Sequence, residues 1–216
     1  MTHLSDFGNP HWLAATDIHF GHLEHGRQIE AIVKAFEGIG FVAGGAARFA
    51  LMPSAPNPSD IDIWMFNNHL DLRPLFALGY HDYGEANGTR RFARDEDDLP
   101  VQIILPSSPR STKSWGTPLE VLLTFTFTTE QFVLMYGAGG ASGLLSTQGR
   151  EDTENRVIRN NNFRKNPILS LYRLHKYGRK GYTLSMETLI EITEALHGMS
   201  QQEYVDALSI ALSVQS

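Results

Sequence analysis

Apolar residues fall at helical spacing at Ile29, Ile32, Val33 and Phe36, which predicts a helix over 26–37. Gly38-Ile39-Gly40 closes it, because glycine after a periodic run is a stop signal. Phe41-Val42-Ala43 reads as a short buried strand running into Gly44-Gly45, and 46–51 as a short helix. The stretch 53–59 holds three prolines and is a loop. Residues 61–66 alternate and read as a strand. A helix is expected over 71–78, then strands over 88–93 and 100–105 on either side of the acidic turn Asp95-Glu96-Asp97-Asp98. Thr117 and Pro118 open a helix over 117–123. The β-branched and aromatic run 124–129 predicts a strand, which 131–136 continues as a hairpin. Four glycines between Gly137 and Gly143 predict a loop.

After Arg150 the pattern becomes helical. Leu169, Tyr172, Leu174 and Tyr177 share a helix that 178–181 breaks. Ser185 caps a second helix over 186–197, with Leu189, Ile192 and Leu196 on one face, and 201–214 is a third. The chain therefore divides into a mixed α/β part, 1–150, and a helical domain, 151–216.

Composition narrows the chemistry. The 216 residues are 42% hydrophobic, enough to build a core. The absence of cysteine excludes disulfides, thiolate zinc sites and a cysteine nucleophile. No apolar run approaches the roughly 20 residues a membrane span needs, and the first residues lack a signal-peptide pattern, so the expectation is a cytoplasmic protein without membrane contact. The net charge of −6 looks wrong for a nucleic-acid binder, but eight basic residues and no acidic one lie between Arg156 and Lys180. That segment reads either as an anion-binding surface on an acidic body or as a solvated basic face.

The chemistry concentrates at Ser59-Asp60-Ile61-Asp62-Ile63. In a strand, residues i and i+2 face the same side, so Asp60 and Asp62 project together while Ile61 and Ile63 anchor the strand in the core. Two carboxylates this close repel unless a cation joins them. Mg²⁺ (or Mn²⁺) suits them, since it binds carboxylate together with phosphate oxygens. Gly44-Gly45, at the tip of the preceding strand, lets backbone N–H groups approach a triphosphate.

Val42-Ala43-Gly44-Gly45-Ala46-Ala47-Arg48, a variable loop, and then Asp60-Ile61-Asp62-Ile63 resemble the polymerase-β-like nucleotidyltransferase superfamily. The nearest layout is the class of bacterial poly(A) polymerases and CCA-adding enzymes, with Gly-Gly-Ala-x-Arg followed by Asp-x-Asp. Looser similarities follow. Asn87-Gly88-Thr89 sits where that family often has Gly-Thr before a central strand. The stretch from Asp152 to Asn160, with Arg156 and Arg159, resembles one that holds nucleotide phosphates and base. The segment from Asn166 to Leu184 is similar to the helical part that follows. Val101-Gln102-Ile103-Ile104 and the Tyr172-to-Tyr182 segment also resemble small phage-encoded nucleotidyltransferase-like proteins, which implies a viral origin.

The resemblance implies an α/β nucleotidyltransferase fold with a mixed, mostly antiparallel sheet, followed by a small helical domain. It implies that Asp60 and Asp62 hold Mg²⁺, that Gly44, Gly45, Ser59 and Arg48 bind the nucleotide's triphosphate, and that Arg156, Arg159 and Arg173 neutralise phosphate or acceptor charge. The partners would be an NTP and RNA held by segment 156–180, with a protein partner as a further option. Two departures weigh against turnover. The family's third carboxylate, which helps bind metal and acts as general base, falls at Gln102 on one alignment and Thr126 on another. Asp95 to Asp98 or Glu120 could substitute, but no spacing compels it. The chain is also shorter than a CCA-adding enzyme with its helical arm. Two expectations remain open: an NTP-dependent nucleotidyltransferase acting on RNA or another acceptor, and an impaired phage protein of that fold serving as a binding, inhibitory or virion module. Asp17-Ile18-His19 resembles the opening of a metallophosphoesterase, but the further blocks of that fold do not follow. The N-terminal histidines are read as loop and helix-start residues.

Overall fold

The computed structural model describes residues 10–13, 18–21, 25–86, 89–107, 117–161 and 167–213. Asn87, Gly88, Trp115, Arg164, Lys165, Asn166, Asp17 and His22 lie outside these.

Eight strands form one sheet. They are β1 (Pro10–Leu13), β2 (Gly40–Ala43), β3 (Ile61–Met65), β4 (His81–Ala86), β5 (Thr89–Ala93), β6 (Val101–Ile104), β7 (Phe132–Gly137) and β8 (Gly140–Ser146). Their spatial order is β1-β8-β7-β2-β3-β6-β5-β4. Only β3 and β6 pair in parallel, so the sheet is mixed and mostly antiparallel. A separate two-stranded parallel pair joins β9 (Val157–Ile158) to β10 (Thr183–Leu184).

Period-two alternation divides the sheet into two faces. Val42, Ile61, Ile63, Val101, Ile103, Phe132 and Leu134 turn to one side, where helix α1 (Gly26–Ala35) and helix α2 (Gly45–Leu51) cover them with Ile29, Ile32, Val33, Ala46, Ala47 and Ala50. Phe41, Ala43, Trp64, Ile104, Val133 and Leu144 turn to the other, where α4 (Pro118–Leu122) contributes Val121 and Leu122. Thr117 and Glu120 cap α4 reciprocally, as its opening residues predict. A short α3 (Arg73–Ala77) leads into β4.

The chain after β8 continues through α5 (Thr147–Glu154), α6 (Pro167–Arg179), α7 (Met186–His197) and α8 (Gln201–Ser213). Residue 150, the boundary suggested by the change of pattern, lies inside α5. That helix has no large apolar residue to announce it; Ser146 caps it and Gly149, Asp152 and Thr153 are its buried members.

Three of the differences from the sequence expectation have a plain physical reason. The run 124–129 is a turn leading into a 3-10 turn at Thr128–Glu130, not a strand. The Glu130 carboxylate accepts from the backbone N–H groups of Thr126 and Phe127, and so satisfies donors that a neighbouring strand would otherwise take. Segment 140–143 belongs to β8, not to a loop. Gly143 lets β8 approach α2 closely there, since a Cβ would crowd the Leu51 side chain. Strand β4 carries exposed, mostly polar side chains over 81–85, so no alternation marked it.

Helix α5 packs tightly on the 3-10 turn. A Cβ on Gly149 would stand 2.5 Å from the Thr128 carbonyl oxygen. Gly149→Ala should therefore destabilise the fold, because overpacking against backbone costs about 1–3 kcal/mol or more and outweighs the roughly 1 kcal/mol helix preference of alanine. A urea midpoint at or above wild type would show that α5 does not pack in this way.

Candidate functional site

Strand register assembles the site. Ala43, the last residue of β2, lies opposite Asp62, so the Gly44-Gly45 turn leaves the sheet beside the start of β3. Gly44 has φ 78° and ψ −132°, a conformation that needs glycine, and its N–H donates to Phe132 O at 2.9 Å. A Cβ on Gly44 would meet nothing within 4 Å, so the backbone there is open to a ligand's approach. Asp60 directly precedes β3, and its strand is tied in place by Ile61 N–H donating to Pro100 O at 2.9 Å. Ile61 and Ile63 are fully buried, while Asp60 and Asp62 are half-buried on the opposite side.

The parallel partner β6 places Gln102 beside Asp62. Gln102 Nε2 donates to Asp60 Oδ2 at 3.1 Å, and Ser59 Oγ donates to Asp60 Oδ1 at 3.3 Å. Gln102 thus occupies the place beside the aspartate pair where a third carboxylate would complete a triad. Its amide donates to Asp60 and takes no proton. Thr126, the other suggested position, accepts from Arg173 Nη1 at 2.7 Å. Asp98 pairs with Arg94, and Glu120 serves in the α4 cap. Among the described residues, no group of three His, Cys, Asp or Glu is arranged to hold a metal ion. Asp60, Asp62 and the Gln102 amide oxygen are all oxygen donors, the set Mg²⁺ accepts alongside water and phosphate oxygens.

Arg48, expected at the triphosphate, is instead 1% exposed. Its Nη1 donates to Thr129 O at 2.6 Å and lies 3.4 Å from Tyr177 Oη. Its guanidinium sits over the rings of Tyr177 and Tyr182, at 5.4 and 5.6 Å from their centroids. Burial works against its charge, but Tyr177, Tyr182 and Glu130 outweigh it and raise its pKa. Burial, reinforced by Glu130, pushes the Tyr177 phenol up. Arg48 is therefore a buried strut between α2 and α6.

The other arginines expected at the nucleotide are also held by the protein. Arg159 Nε donates to the buried Asp152 at 2.9 Å, and Arg173 adds a 3.7 Å ion pair with Glu130 to its contact with Thr126. Arg156, at φ 55°, stacks over Tyr182 at 5.3 Å and donates to Ser54 O at 2.5 Å and Lys180 O at 3.3 Å. It lies on the loop that leads to Asp60, whereas Arg159 and Arg173 lie along the 126–130 turn.

One cation that the sequence did not single out does reach this region. Lys180, at the end of α6, donates from Nζ to Asn57 O at 3.2 Å. Burial, with Lys176 and Arg48 nearby, pulls its pKa from 10.5 down to about 8, while Asp60 acts in the opposite direction. Within the basic run it looked like any other lysine; only the turn after α6 directs it at the loop.

No protein-family model and no curated protein matches the chain. Solved structures do. A CCA-adding enzyme in complex with CTP superposes with a TM-score of 0.65 at 16% identity, over 86% of this chain and 46% of that one. The Thermotoga maritima CCA-adding enzyme complexed with tRNA gives 0.61 at 15% identity, over 93% and 50%. A tRNA nucleotidyltransferase complexed with a primer tRNA and an incoming ATP analogue gives 0.58 at 20% identity, over 85% and 56%. The chain spans about half the length of these structures. It shares the nucleotidyltransferase fold of these structures.

Two outcomes follow from these contacts. Arg48→Met strands the buried Thr129 carbonyl and should lower stability by about 1–3 kcal/mol. An unchanged urea midpoint combined with lost nucleotide affinity would instead put Arg48 on the ligand. The second outcome concerns Lys180. Between about pH 8 and 10.5 the unfolded chain retains the Lys180 proton and the folded chain has released it, so this group makes stability rise with pH across that window. Lys180→Met should remove the rise, and parallel urea-midpoint profiles for wild type and variant would contradict it.

Proposed function

We propose that this protein transfers a nucleotidyl group from an NTP to a hydroxyl of RNA or another acceptor, with Mg²⁺ or Mn²⁺ bound at Asp60 and Asp62. The observation that carries the reading is the pair of aspartates beside the open Gly44-Gly45 backbone, at the strand ends of a nucleotidyltransferase fold. That solved structures of this fold hold CTP, an ATP analogue and tRNA supports it.

In the reaction the acceptor oxygen bonds to the α-phosphorus, the α–β bridging bond breaks, and pyrophosphate leaves with its electron pair. The chain's own part is positioning and charge placement, which dominate phosphoryl transfer. The Gly44-Gly45 backbone admits the phosphates without a side chain in the way. Asp60 is oriented by Ser59 and Gln102. A bound divalent ion would neutralise charge on the phosphates and on the attacking oxygen. Gln102 cannot accept the acceptor's proton, which leaves the Asp60 and Asp62 carboxylates as the bases on this part of β3 and β6.

Gln102 also favours a second reading. Without a third carboxylate, turnover is impaired, and the protein serves as a nucleotide-binding or interaction module, consistent with the suggested phage origin. One assay separates the two. Each α-labelled NTP is incubated with the protein, Mg²⁺ or Mn²⁺, and total RNA or lysate. Label transfer that Asp60→Ala/Asp62→Ala abolishes is the outcome expected of the enzyme. NTP binding without transfer, with turnover restored by Gln102→Asp, would favour the second reading. If the protein neither transfers nor binds, both fall.

A further inference from the structure

We propose that Lys180 is a phosphate-binding residue of this site, where its ammonium holds the β- and γ-phosphates of the bound NTP. The proposal rests on the nucleotidyl-transfer reading and adds to it a residue from the helical part of the chain.

Three segments converge at this point. The Cβ position of Gly45 lies 3.9 Å from Pro58 Cβ, so the loop before Asp60 packs against the Gly-Gly turn. Asn57, the residue before Pro58, accepts from Lys180 Nζ at 3.2 Å. Asp60, three residues on, acts electrostatically on the same ammonium. Lys180 Nζ therefore stands on the loop between α2 and β3, which packs against the Gly-Gly turn and leads into the carboxylates.

Its position is built, not left to a flexible stem. Lys180 N–H and Tyr182 N–H both donate to Tyr177 O, at 2.9 and 3.1 Å, and Gly181 turns the chain with φ 80°. The guanidinium groups of Arg48 and Arg156 both lie over the Tyr182 ring. Arg156 then ties Lys180 O to Ser54 O, so one side chain grips the turn and the loop together.

The chemistry calls for such a cation. An ammonium has three donors, and the Asn57 carbonyl uses one, which leaves others for phosphate oxygens. Two carboxylates and a neutral Gln102 attract less divalent charge than three carboxylates would, while a triphosphate brings the same negative charge. Arg48, Arg159 and Arg173 are engaged by Thr129, Asp152, Thr126 and Glu130. A lysine acts on phosphate as a compact point charge, and Lys180 brings one from the helical part of the chain to the loop before Asp60.

The test measures equilibrium binding of ATP and AMP to the full chain, with and without Mg²⁺, for wild type, Lys180→Met and Lys180→Arg. Wild type should bind ATP more tightly than AMP. Lys180→Met should lose about tenfold in ATP affinity, the size of one charge-assisted contact, with AMP affinity unchanged, and Lys180→Arg should recover most of the loss. Equal loss of ATP and AMP would make Lys180 a positioning residue for the loop and overturn the proposal, as would unchanged ATP affinity. If wild type binds neither nucleotide, the nucleotidyl-transfer reading itself fails. That result differs from one in which wild type binds and Lys180→Met binds equally.

Discussion

A fully buried guanidinium organises this protein. Arg48 sits one turn after Gly44-Gly45, and taking its charge out of water would be prohibitive without compensation. Compensation comes from the Thr129 carbonyl, the faces of Tyr177 and Tyr182, and the nearby Glu130 charge. Thr129 and Glu130 belong to the 3-10 turn, and Tyr177 and Tyr182 to the end of α6 and the turn after it. The helix after the Gly-Gly turn, the 3-10 turn after α4 and the end of α6 are therefore bound to one point, and the helical part of the chain cannot shift without disturbing the turn beside the aspartates.

Around that point lies a polar seam with little apolar area. Phe127, Ile158, Tyr177 and Tyr182 form its small core. Asp152 is almost fully buried and accepts from Thr128, Gln148 and Arg159. A network of this kind is demanding, because each buried polar group must find its partner, but once satisfied it holds a single arrangement. That arrangement carries Arg156 onto Ser54 and Lys180 onto Asn57, at the loop between α2 and β3. The helical part is thereby joined to the proposed phosphate site through backbone carbonyls, not through apolar contact.

The sheet serves the site in a simpler way. Antiparallel pairing of β2 with β3 and parallel pairing of β3 with β6 bring Gly44, Asp62 and Gln102 side by side from segments up to 58 positions apart in the chain. The same alternation that buries Ile61 and Ile63 under α1 and α2 turns the aspartates outward. The aspartates and the isoleucines that anchor β3 under α1 and α2 thus come from opposite faces of one strand.

Much of this was legible in the chain itself. Apolar spacing located α1, β2, α2, β3 and β6, and Thr117 and Ser185 located two helix starts, because these signals are local and repeat within a few residues. Gly44-Gly45 with Asp60-Ile61-Asp62 identified the fold and put the carboxylates on one face, since period two is a property of any strand. Elements without an apolar pattern were not legible: polar β4 at the sheet edge, α5, and the turn at 124–129, whose strand-like residues yield to the Glu130 carboxylate. The roles of the basic residues were not legible either. A charge in sequence carries no record of its partner, and here burial decides. Arg48 looked like a phosphate ligand and became an internal strut. Lys180 looked like one of eight basic residues and is held, with Arg156, against the loop before Asp60. Local periodicity sets which residues face together, but only tertiary packing sets which charges remain for a ligand.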